Sequence, residues 1–370
     1  MKIPFIDLKR GHKTLQVEIQ NIIASIVEQS AFIQGHFVSA FEKNFAEVHS
    51  MSHCISCGNG TDALFLILKA LGIASGDEVL VPAMSWIATS EAVSLCGASV
   101  RFVDIHPSTF TLDVSALEKT ISHRTKAIIP VHLYGCPADM TPLLEFCQKH
   151  NLFCVEDCAQ AHFAEYDGKQ VGTMGIASAF SFYPSKNLGA LGDAGAVLTN
   201  DSDLAIKIRR LGNHGTLVKH DHEMEGMNSR MDGIQAGILS LKLKYLEEWT
   251  EKRKILAEKM DQGLKGAPQL QIHRTPSGRT HVHHLYVVEH TQRDELRKIL
   301  AKKGVETGIH YPVALPFLKA YRSLNHTPKD FPVAFEKQSR ILSLPFFPEM
   351  TREEIDYLIQ AVQEACAEVQ

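Results

Sequence analysis

The sequence predicts an α/β fold with a mostly parallel seven-stranded sheet sandwiched by helices and a smaller C-terminal α/β domain. Short, strongly apolar segments alternate with segments of helical periodicity, which is typical of β-α-β connections. The apolar segments are nearly continuous, as expected for strands that are buried on both faces. They cover residues 53–56, 78–81, 100–103, 127–131, 153–156, 179–182 and 196–199.

The helical segments complete this pattern in chain order. An N-terminal helix is predicted by apolar residues at three- and four-residue spacing, namely Leu15, Ile19, Ile22, Ile23 and Ile26. Further helices are predicted at 61–71, 88–95 and 140–150. From Met231, one long helical pattern runs through Ile234, Ile238, Leu241, Leu246 and Leu256. At roughly 100–200 residues per domain, the chain suits two domains, and we place them at 1–249 and 250–370.

Composition and charge exclude several classes of function. A formal net charge of −4 gives no broad basic field, so nucleic acid is not expected as a partner. No run of about 18 apolar residues is present, so a membrane span is not expected either. Pro4 and Asp7 stand where a signal peptide needs an apolar core. We therefore expect a cytoplasmic protein.

Two groups of residues raise the question of metal binding. Cys54 and Cys57 form a C-x-x-C, typical of a redox pair or half a zinc site. Residues three apart on a strand point to opposite faces, and no second C-x-x-C is present. His281, His283 and His284 are close in sequence, but the segment HHLYVV predicts a strand that would separate the last two. We predict no metal site.

A glycine-rich turn follows the first predicted strand. The residues Gly58–Ala63, GNGTDA, open a helix, and the free N–H groups of a helix N-terminus form a seat for phosphate. The pattern also fits a relaxed G-x-G-x-x-A loop of a dinucleotide-binding dehydrogenase. However, Pro82 follows the next predicted strand, where that fold needs a carboxylate for the ribose. A tight turn with a purely structural role is the remaining interpretation.

Asp157 ends an apolar strand, in VEDCAQ. A carboxylate is costly in such a place unless it is paired or hydrogen-bonded. Capping of a helix is one explanation. The other is a salt bridge to the protonated ring nitrogen of a pyridinium cofactor.

Lys186 follows another buried strand in SFYPSKN and precedes a glycine-rich stretch. Such a lysine is poorly explained as a solvated surface charge. A partly desolvated lysine has a depressed pKa and becomes a nucleophilic amine. Ser181, on the preceding strand, is a further donor for a phosphate. Together the three strand ends supply a phosphate seat, a pyridinium partner and an amine for a Schiff base.

At these residues the chain resembles the DegT/DnrJ/EryC1/StrS sugar aminotransferases, which have the pyridoxal phosphate (PLP) transferase fold of type I. The likeness covers nearly the whole length. The segments that carry it are IPFIDLKR, GNGTDAL, VPAMSWIATSEAV, VHLYGCPADM, VEDCAQAHFAEYDGKQVGTMG, SFYPSKNLGALGDAGAV, GMNSRMDGIQAGIL, GIHYPVALP and LSLPFFPEMTREEID.

The resemblance implies a role for each cofactor residue. Lys186 would form the Schiff base with PLP and shuttle a proton, and Asp157 would keep the pyridine nitrogen protonated. Gln160 would approach the ring oxygen, and Trp86 would stack on the ring, with core packing as its other interpretation. The residues implied around the phosphate are Gly60, Thr61, Asp62, Ser181 and, from a neighbouring subunit, Asn228.

The resemblance also implies the substrates and the assembly. Glutamate would donate the amino group to a keto sugar attached to dTDP or UDP, and two subunits would share their active sites in a homodimer. The residues implied near the sugar nucleotide are Tyr183, His310 and Tyr311, with Lys219 and His220 in the polar loop 216–227. Tyr183 favours amination at C-3 over C-4. Sugar-dehydrating relatives carry His in place of Lys186, so transamination is favoured.

Two other functions remain as alternatives. One is a non-catalytic regulator or binding module with the same fold, against which Lys186 and Asp157 both argue. The other is an NAD(P)-dependent dehydrogenase, which the missing ribose carboxylate disfavours.

Overall fold

The structure, a computed structural model, describes residues 1–369. The helices are α1 Leu8–Thr14, α2 Gln16–Glu28, α3 His36–Val48, α4 Gly60–Ala70, α5 Ala88–Leu95, α6 Leu117–Thr120, α7 Met140–His150, α8 Ser202–Leu211, α9 Gly233–Leu243, α10 Leu246–Leu264, α11 Arg293–Lys302, α12 Pro332–Arg340 and α13 Arg352–Glu368. The strands are β1 His53–Cys57, β2 Glu78–Pro82, β3 Ser99–Val103, β4 Thr125–Ile128, β5 Phe153–Asp157, β6 Glu165–Tyr166, β7 Lys169–Gln170, β8 Ala177–Ser181, β9 Gly195–Thr199, β10 Thr216–Val218, β11 Asp221–His222, β12 Leu270–Ile272, β13 Arg279–Thr280, β14 Tyr286–His290 and β15 Ile341–Leu344.

The main sheet contains the seven predicted strands, in the order β1-β9-β8-β5-β4-β2-β3. Only β9 runs against its neighbours, so the sheet is mostly parallel, as predicted. One face packs against α4, α5 and α8. The opposite face packs against α3 and α9 and, further along the sheet, against α6 and α7. The helices on both faces account for the apolar character of the strands.

A second, smaller core lies in the C-terminal part of the chain. An antiparallel sheet, β12-β14-β15, packs against α10, α11 and α13. Ile3 joins this core and pairs with Val305, so the first residues of the chain lie with its C-terminal part. Helix α10 begins in the large core at Leu246 and enters the small core at Ala257. The boundary predicted between 249 and 250 falls within this helix and stays a prediction.

The structure differs from the predicted elements in three places. The long helix expected from Met231 is two helices, because the chain turns at Lys244 and Tyr245. The N-terminal helix is likewise divided at Leu15. Two helices joined by only one or two residues keep nearly the same apolar spacing as one long helix, so periodicity does not reveal the turn. Part of the polar loop 216–227 forms the hairpin β10–β11.

Cys54 and Cys57 lie on opposite faces of β1, as expected from their spacing. Cys57 packs in the core that includes α4, and Cys54 packs in the core that includes α3. Both thiols are free and buried, and burial raises the pKa of each. They are packing residues in this fold. Among residues 1–369, no helix is both long enough and apolar enough to cross a bilayer.

Candidate active site

Polar side chains gather at one edge of the main sheet, where the parallel strands end. Asp157 is the last residue of β5, and Ser181 is the last residue of β8. Gly60 follows β1 and Trp86 follows β2. Because the carboxyl ends of parallel strands meet at one edge, these four residues come together although they are far apart in sequence.

The neighbouring carboxylates Glu156 and Asp157 point to opposite faces of β5 and have different environments. Glu156 is fully buried. One of its oxygens accepts from His132 Nε2 (3.1 Å) and Gly172 N (2.8 Å), and the other accepts from Met174 N (2.8 Å) and Gly175 N (2.7 Å). Burial opposes ionisation, but these hydrogen bonds outweigh it and lower the pKa of Glu156. Its acceptor capacity is filled.

Asp157 has acceptor capacity to spare. It is 5% exposed, and it accepts from Thr89 Oγ1 (2.9 Å) and Ala159 N (3.1 Å). Burial raises the pKa of Asp157, against the opposing effects of Ala159, Thr89 and the nearby Lys186. A buried carboxylate with two donors can accept further hydrogen bonds, and a protonated ring nitrogen would supply both a donor and the missing positive charge.

Because four donors bind the two oxygens of Glu156, this side chain is expected to contribute to the stability of the fold. Glu156→Gln replaces one acceptor oxygen with an NH₂ group that faces backbone N–H donors. We expect the free energy of unfolding to fall by about 2–4 kcal/mol. Urea denaturation at pH 7 measures this loss. An unchanged denaturation midpoint would show that the loop at residues 172–175 does not depend on this carboxylate.

Lys186 lies close enough to Asp157 for their charges to interact. Burial lowers the pKa of Lys186 to about 8, although Asp157 acts in the opposite direction. Its Nζ forms no hydrogen bond or ion pair with another residue in the described part of the chain. A substantial fraction of the amine is therefore neutral near pH 8, which is the form that attacks an aldehyde or accepts a proton.

The turn before α4 is pressed against the end of β8. A Cβ added to Gly60 would lie 2.7 Å from Ser181 Cβ, so only glycine fits here. Gly60 and Thr61 begin the helix beside Ser181, and N–H groups at a helix N-terminus can receive an anion. The N–H of Asp62 has another acceptor in this structure, because it donates to Asn59 Oδ1 (2.8 Å). The expected phosphate contact of Asp62 therefore stays a prediction.

The tight contact at Gly60 gives a prediction about cofactor binding. Gly60→Ala forces the turn away from Ser181, and we expect the affinity for PLP to fall by about tenfold or more. Titration of the apoenzyme with PLP, followed by absorbance, measures this change. Gly11→Ala is the control, because its added Cβ meets only the end of the flexible Glu349 side chain. Equal affinities in both variants would contradict the phosphate seat.

We call the region around Asp157, Lys186 and Gln160 the cleft, and Trp86 and Tyr311 lie together at one side of it. Trp86 is 59% exposed, which excludes the interpretation that it only packs in the core. Its ring lies 5.5 Å from that of Tyr311. Gln160 Nε2 donates to the Tyr311 hydroxyl (3.1 Å), and Gln160 Oε1 accepts from Tyr134 N (2.6 Å). Gln160 thus joins the floor of the cleft to the segment that carries Tyr311.

The remaining expected site residues differ in how close they lie to Lys186. His310 bonds Ser343 Oγ through Nδ1 (2.8 Å), and burial together with Lys186 lowers the pKa of His310 to about 4. Tyr183 is 55% exposed. Lys219 and Asn228 are both exposed, Lys219 in the turn of the hairpin β10–β11. The single chain brings neither Lys219 nor Asn228 into contact with Lys186.

The structure places one group of potential metal ligands together, His132, Glu156 and Cys158. His132 Nδ1 accepts from Ala138 N (3.0 Å), so its proton is on Nε2, which faces Glu156. With the Glu156 oxygens also filled, both His132 and Glu156 already have hydrogen-bond partners within the protein.

The histidines of HVHH lie before a strand rather than on one, because β14 begins at Tyr286. The prediction that a strand separates His283 from His284 was therefore wrong. His283 stacks on His281 at 4.0 Å, whereas His284 bonds Asn187 Oδ1 (3.2 Å). The two neighbouring histidines thus have different partners.

The sequence did not single out two residues that the structure places in the site. Thr89 donates to Asp157, and its hydroxyl is also 2.8 Å from Ser85 Oγ. Tyr134 is buried and holds both Gln160 and, through its hydroxyl, the carbonyl of His310. Both residues lie in segments that carry the family resemblance, but their partners are distant in sequence and the pairing could not be predicted.

Comparisons with known proteins show which family and which fold this chain resembles. A sequence model of the DegT/DnrJ/EryC1/StrS aminotransferase family matches residues 13–363. The chain is 41% identical to the dTDP-3-amino-3,4,6-trideoxy-α-D-glucose transaminase of Streptomyces venezuelae, over 98% of this chain and 96% of the relative. It is 41% identical to the UDP-N-acetyl-3-dehydro-α-D-glucosamine 3-aminotransferase of Acidithiobacillus ferrooxidans, over 95% of both. It is also 39% identical to a pleiotropic regulatory protein of Geobacillus stearothermophilus, over 98% of both.

Solved structures match over the same length. The crystal structure of S. venezuelae DesV in complex with a ketimine intermediate has a TM-score of 0.97, 40% identity and complete coverage of both chains. The structure of NtdA from Bacillus subtilis with bound PMP has a TM-score of 0.92 and 30% identity, covering 99% of this chain and 86% of that one.

Proposed function

The chain belongs to the DegT/DnrJ/EryC1/StrS aminotransferase family and is a PLP-dependent sugar aminotransferase, and we propose that it transfers the amino group of glutamate to C-3 of a keto hexose attached to dTDP or UDP. The observation that carries C-3 over C-4 is the position in the names of the Streptomyces and Acidithiobacillus relatives, both 41% identical over at least 95% of this chain. Their names differ in the nucleotide, so both carriers stay in the proposal.

The side chains of the cleft fit PLP at each of its polar groups. Asp157 has free acceptor capacity for the ring nitrogen. The start of α4, closed by Gly60 against Ser181, receives the phosphate. Trp86 presents an exposed indole to the ring, and Gln160 has a second amide N–H, besides the one given to Tyr311, for the ring oxygen.

The chemistry of the bound cofactor is that of an electron sink for the carbon that loses a proton. Asp157 would keep the ring nitrogen protonated, which maintains that capacity. Lys186 would hold the cofactor through its aldehyde, and its amine would carry a proton to and from the substrate carbon. Its pKa of about 8 suits both directions of transfer near neutral pH. Glutamate and the keto sugar use the same site in turn, in a ping-pong cycle.

A second copy of the chain completes the proposed site. Asn228 is exposed on the segment that follows the hairpin β10–β11, and it is proposed to reach the cofactor phosphate of the partner. Lys219, also exposed on that hairpin, is proposed to contact the nucleotide diphosphate. Tyr183, His310 and Tyr311 are proposed to contact the sugar. The proposal therefore includes a homodimer with two shared sites.

The alternatives receive less support. The name of the Geobacillus relative favours a regulator. A binding module, however, has no need for a lysine with a lowered pKa beside an under-satisfied buried carboxylate. A dehydrogenase requires a carboxylate at the end of the strand after the glycine turn, and β2 ends at Pro82.

A screen of keto-sugar nucleotides with glutamate tests the proposal. The panel contains UDP-N-acetyl-3-dehydro-α-D-glucosamine, dTDP-3-keto-6-deoxyhexoses and the matching 4-keto compounds. Formation of 2-oxoglutarate and NMR of the product identify the aminated carbon. We expect amination of a 3-keto compound. Exclusive turnover of 4-keto sugars would contradict the C-3 assignment, and no turnover with a protein whose absorbance still responds to glutamate would contradict the substrate class.

A further inference from the structure

A short chain of hydrogen bonds fixes the orientation of the Gln160 amide. A backbone N–H can only donate, so the atom of Gln160 that faces Tyr134 N at 2.6 Å must be the oxygen. The NH₂ group is therefore on the other side, where it lies 3.1 Å from the hydroxyl of Tyr311. Rotating the amide would place NH₂ against N–H and oxygen against the phenol, with the loss of the bond to the main chain.

This orientation determines which hydrogen bond Tyr311 can make next. Its oxygen accepts from Gln160, so the hydroxyl proton points elsewhere. The hydroxyl donates to no acceptor within residues 1–369. Burial raises the pKa of Tyr311, so the phenol keeps its proton throughout the physiological range. Tyr311 is thus held as a neutral donor.

Tyr134 supports this arrangement at two points. Its main chain holds Gln160, and its buried side chain donates to the carbonyl of His310, the residue before Tyr311. The ring of Tyr311 lies 5.5 Å from that of the exposed Trp86, and its hydroxyl is near enough to Asp157 for that charge to raise its pKa. The donor therefore faces the cleft beside the cofactor position.

We propose that Gln160 and Tyr134 are positioning residues that fix Tyr311 as a hydrogen-bond donor to an oxygen atom of the sugar. This inference rests on the proposed function. It assigns to Gln160 a role in substrate recognition, in addition to its expected contact with the cofactor. A sugar with a hydroxyl or keto oxygen at that point is bound more tightly than one without it, because the donor would otherwise remain unpaired.

A double-mutant cycle on Gln160 and Tyr311 tests the coupling. Gln160→Met keeps the approximate shape of the side chain but removes its acceptor and donor, so Tyr311 is free to turn its proton away. Tyr311→Phe removes the proton. If Gln160 acts on the sugar through Tyr311, the double variant binds the sugar no more weakly than Tyr311→Phe alone.

The measurement is calorimetric binding to the enzyme loaded with PMP, whose amine cannot condense with an amino sugar. The probe is dTDP-3-amino-3,6-dideoxy-α-D-galactopyranose, which keeps the hydroxyl groups at C-2 and C-4, and dTDP alone is the reference, so the ratio of the two affinities isolates the contribution of the sugar. We expect each single variant to lower this ratio by about tenfold. Gln20→Met, on an exposed position of α2, is the matched control and leaves the ratio unchanged.

The possible outcomes are distinguishable. Single effects that multiply in the double variant, or a ratio that is unchanged in Gln160→Met, would overturn the inference while leaving the proposed function intact. If the wild-type enzyme bound dTDP and the dTDP-linked amino sugar with the same affinity, both this inference and the proposed function would be overturned. If Gln160→Met does not fold, Gln160→Glu at about pH 8.5 replaces it, because an ionised carboxylate accepts a hydrogen bond from the Tyr311 hydroxyl, which then no longer donates to the sugar, and the ratio falls in the same way.

Discussion

Replacing Lys186 with alanine abolishes transamination while the protein still folds and binds PLP. We expect the rate with glutamate and the keto sugar to fall by about 10²- to 10⁴-fold or more, because the substrate carbon loses the amine that carries its proton. We expect the cofactor to be retained, because the contacts proposed for its phosphate at α4 and for its ring nitrogen at Asp157 do not involve Lys186. Release of 2-oxoglutarate measures the rate, and absorbance after dialysis measures the retained cofactor.

Lys244→Ala is the control for this experiment, because Lys244 is exposed in the turn between α9 and α10. It removes the same charge and is expected to leave the rate unchanged. A Lys186→Ala enzyme with more than about a tenth of wild-type activity would mean that another residue carries the proton.

Asp157→Asn is expected to lower the rate of transamination without lowering the stability of the folded protein. The amide cannot form an ion pair with the protonated ring nitrogen, and we expect the rate to fall by roughly 10²-fold or more. Burial raises the pKa of Asp157, so its ionised form is disfavoured in the folded apoenzyme. Removing that charge should therefore leave the melting temperature of the apoenzyme unchanged or raise it at pH 7.

The pH dependence of this variant has a defined sign. Folding raises the pKa of Asp157, so the protonated carboxyl favours the folded state. This stabilisation is fully present at a pH below the pKa of Asp in the unfolded chain. It is lost as the pH rises through the higher pKa that Asp157 has in the folded protein. Any advantage of Asp157→Asn in apoenzyme stability should thus shrink as the pH is lowered. Melting curves of both apoenzymes between about pH 4 and pH 8 measure it.

Glu156→Gln provides the matched comparison one residue away. It is expected to cost stability, because Glu156 binds four donors, whereas Asp157→Asn is expected to cost activity. If the two variants had the same ratio of lost activity to lost stability, Glu156 would not be mainly structural and Asp157 would not be mainly catalytic. Unchanged turnover in Asp157→Asn would show that this carboxylate only accepts from Thr89 and Ala159.

The amino-acid sequence by itself determined the sheet and the chemically important residues. All seven strands of the main sheet were predicted, because burial on both faces requires apolar segments that are visible in the sequence. Lys186 and Asp157 were identified because each places a charge at the end of an apolar segment, which is costly without a purpose. The family resemblance supplied the cofactor and the reaction.

Only the tertiary structure decided how those residues are supported. It divided the long helix at Lys244. It also showed that four hydrogen-bond donors occupy the oxygens of Glu156, whereas Asp157 accepts from only two. It also joined Tyr134, Gln160 and Tyr311, which lie 26 and 151 residues apart along the chain. Periodicity and local charge report the immediate neighbours of a residue. Hydrogen bonds between distant segments depend on how the packed elements are arranged in three dimensions, and this arrangement cannot be predicted from the periodicity and charge pattern of one sequence.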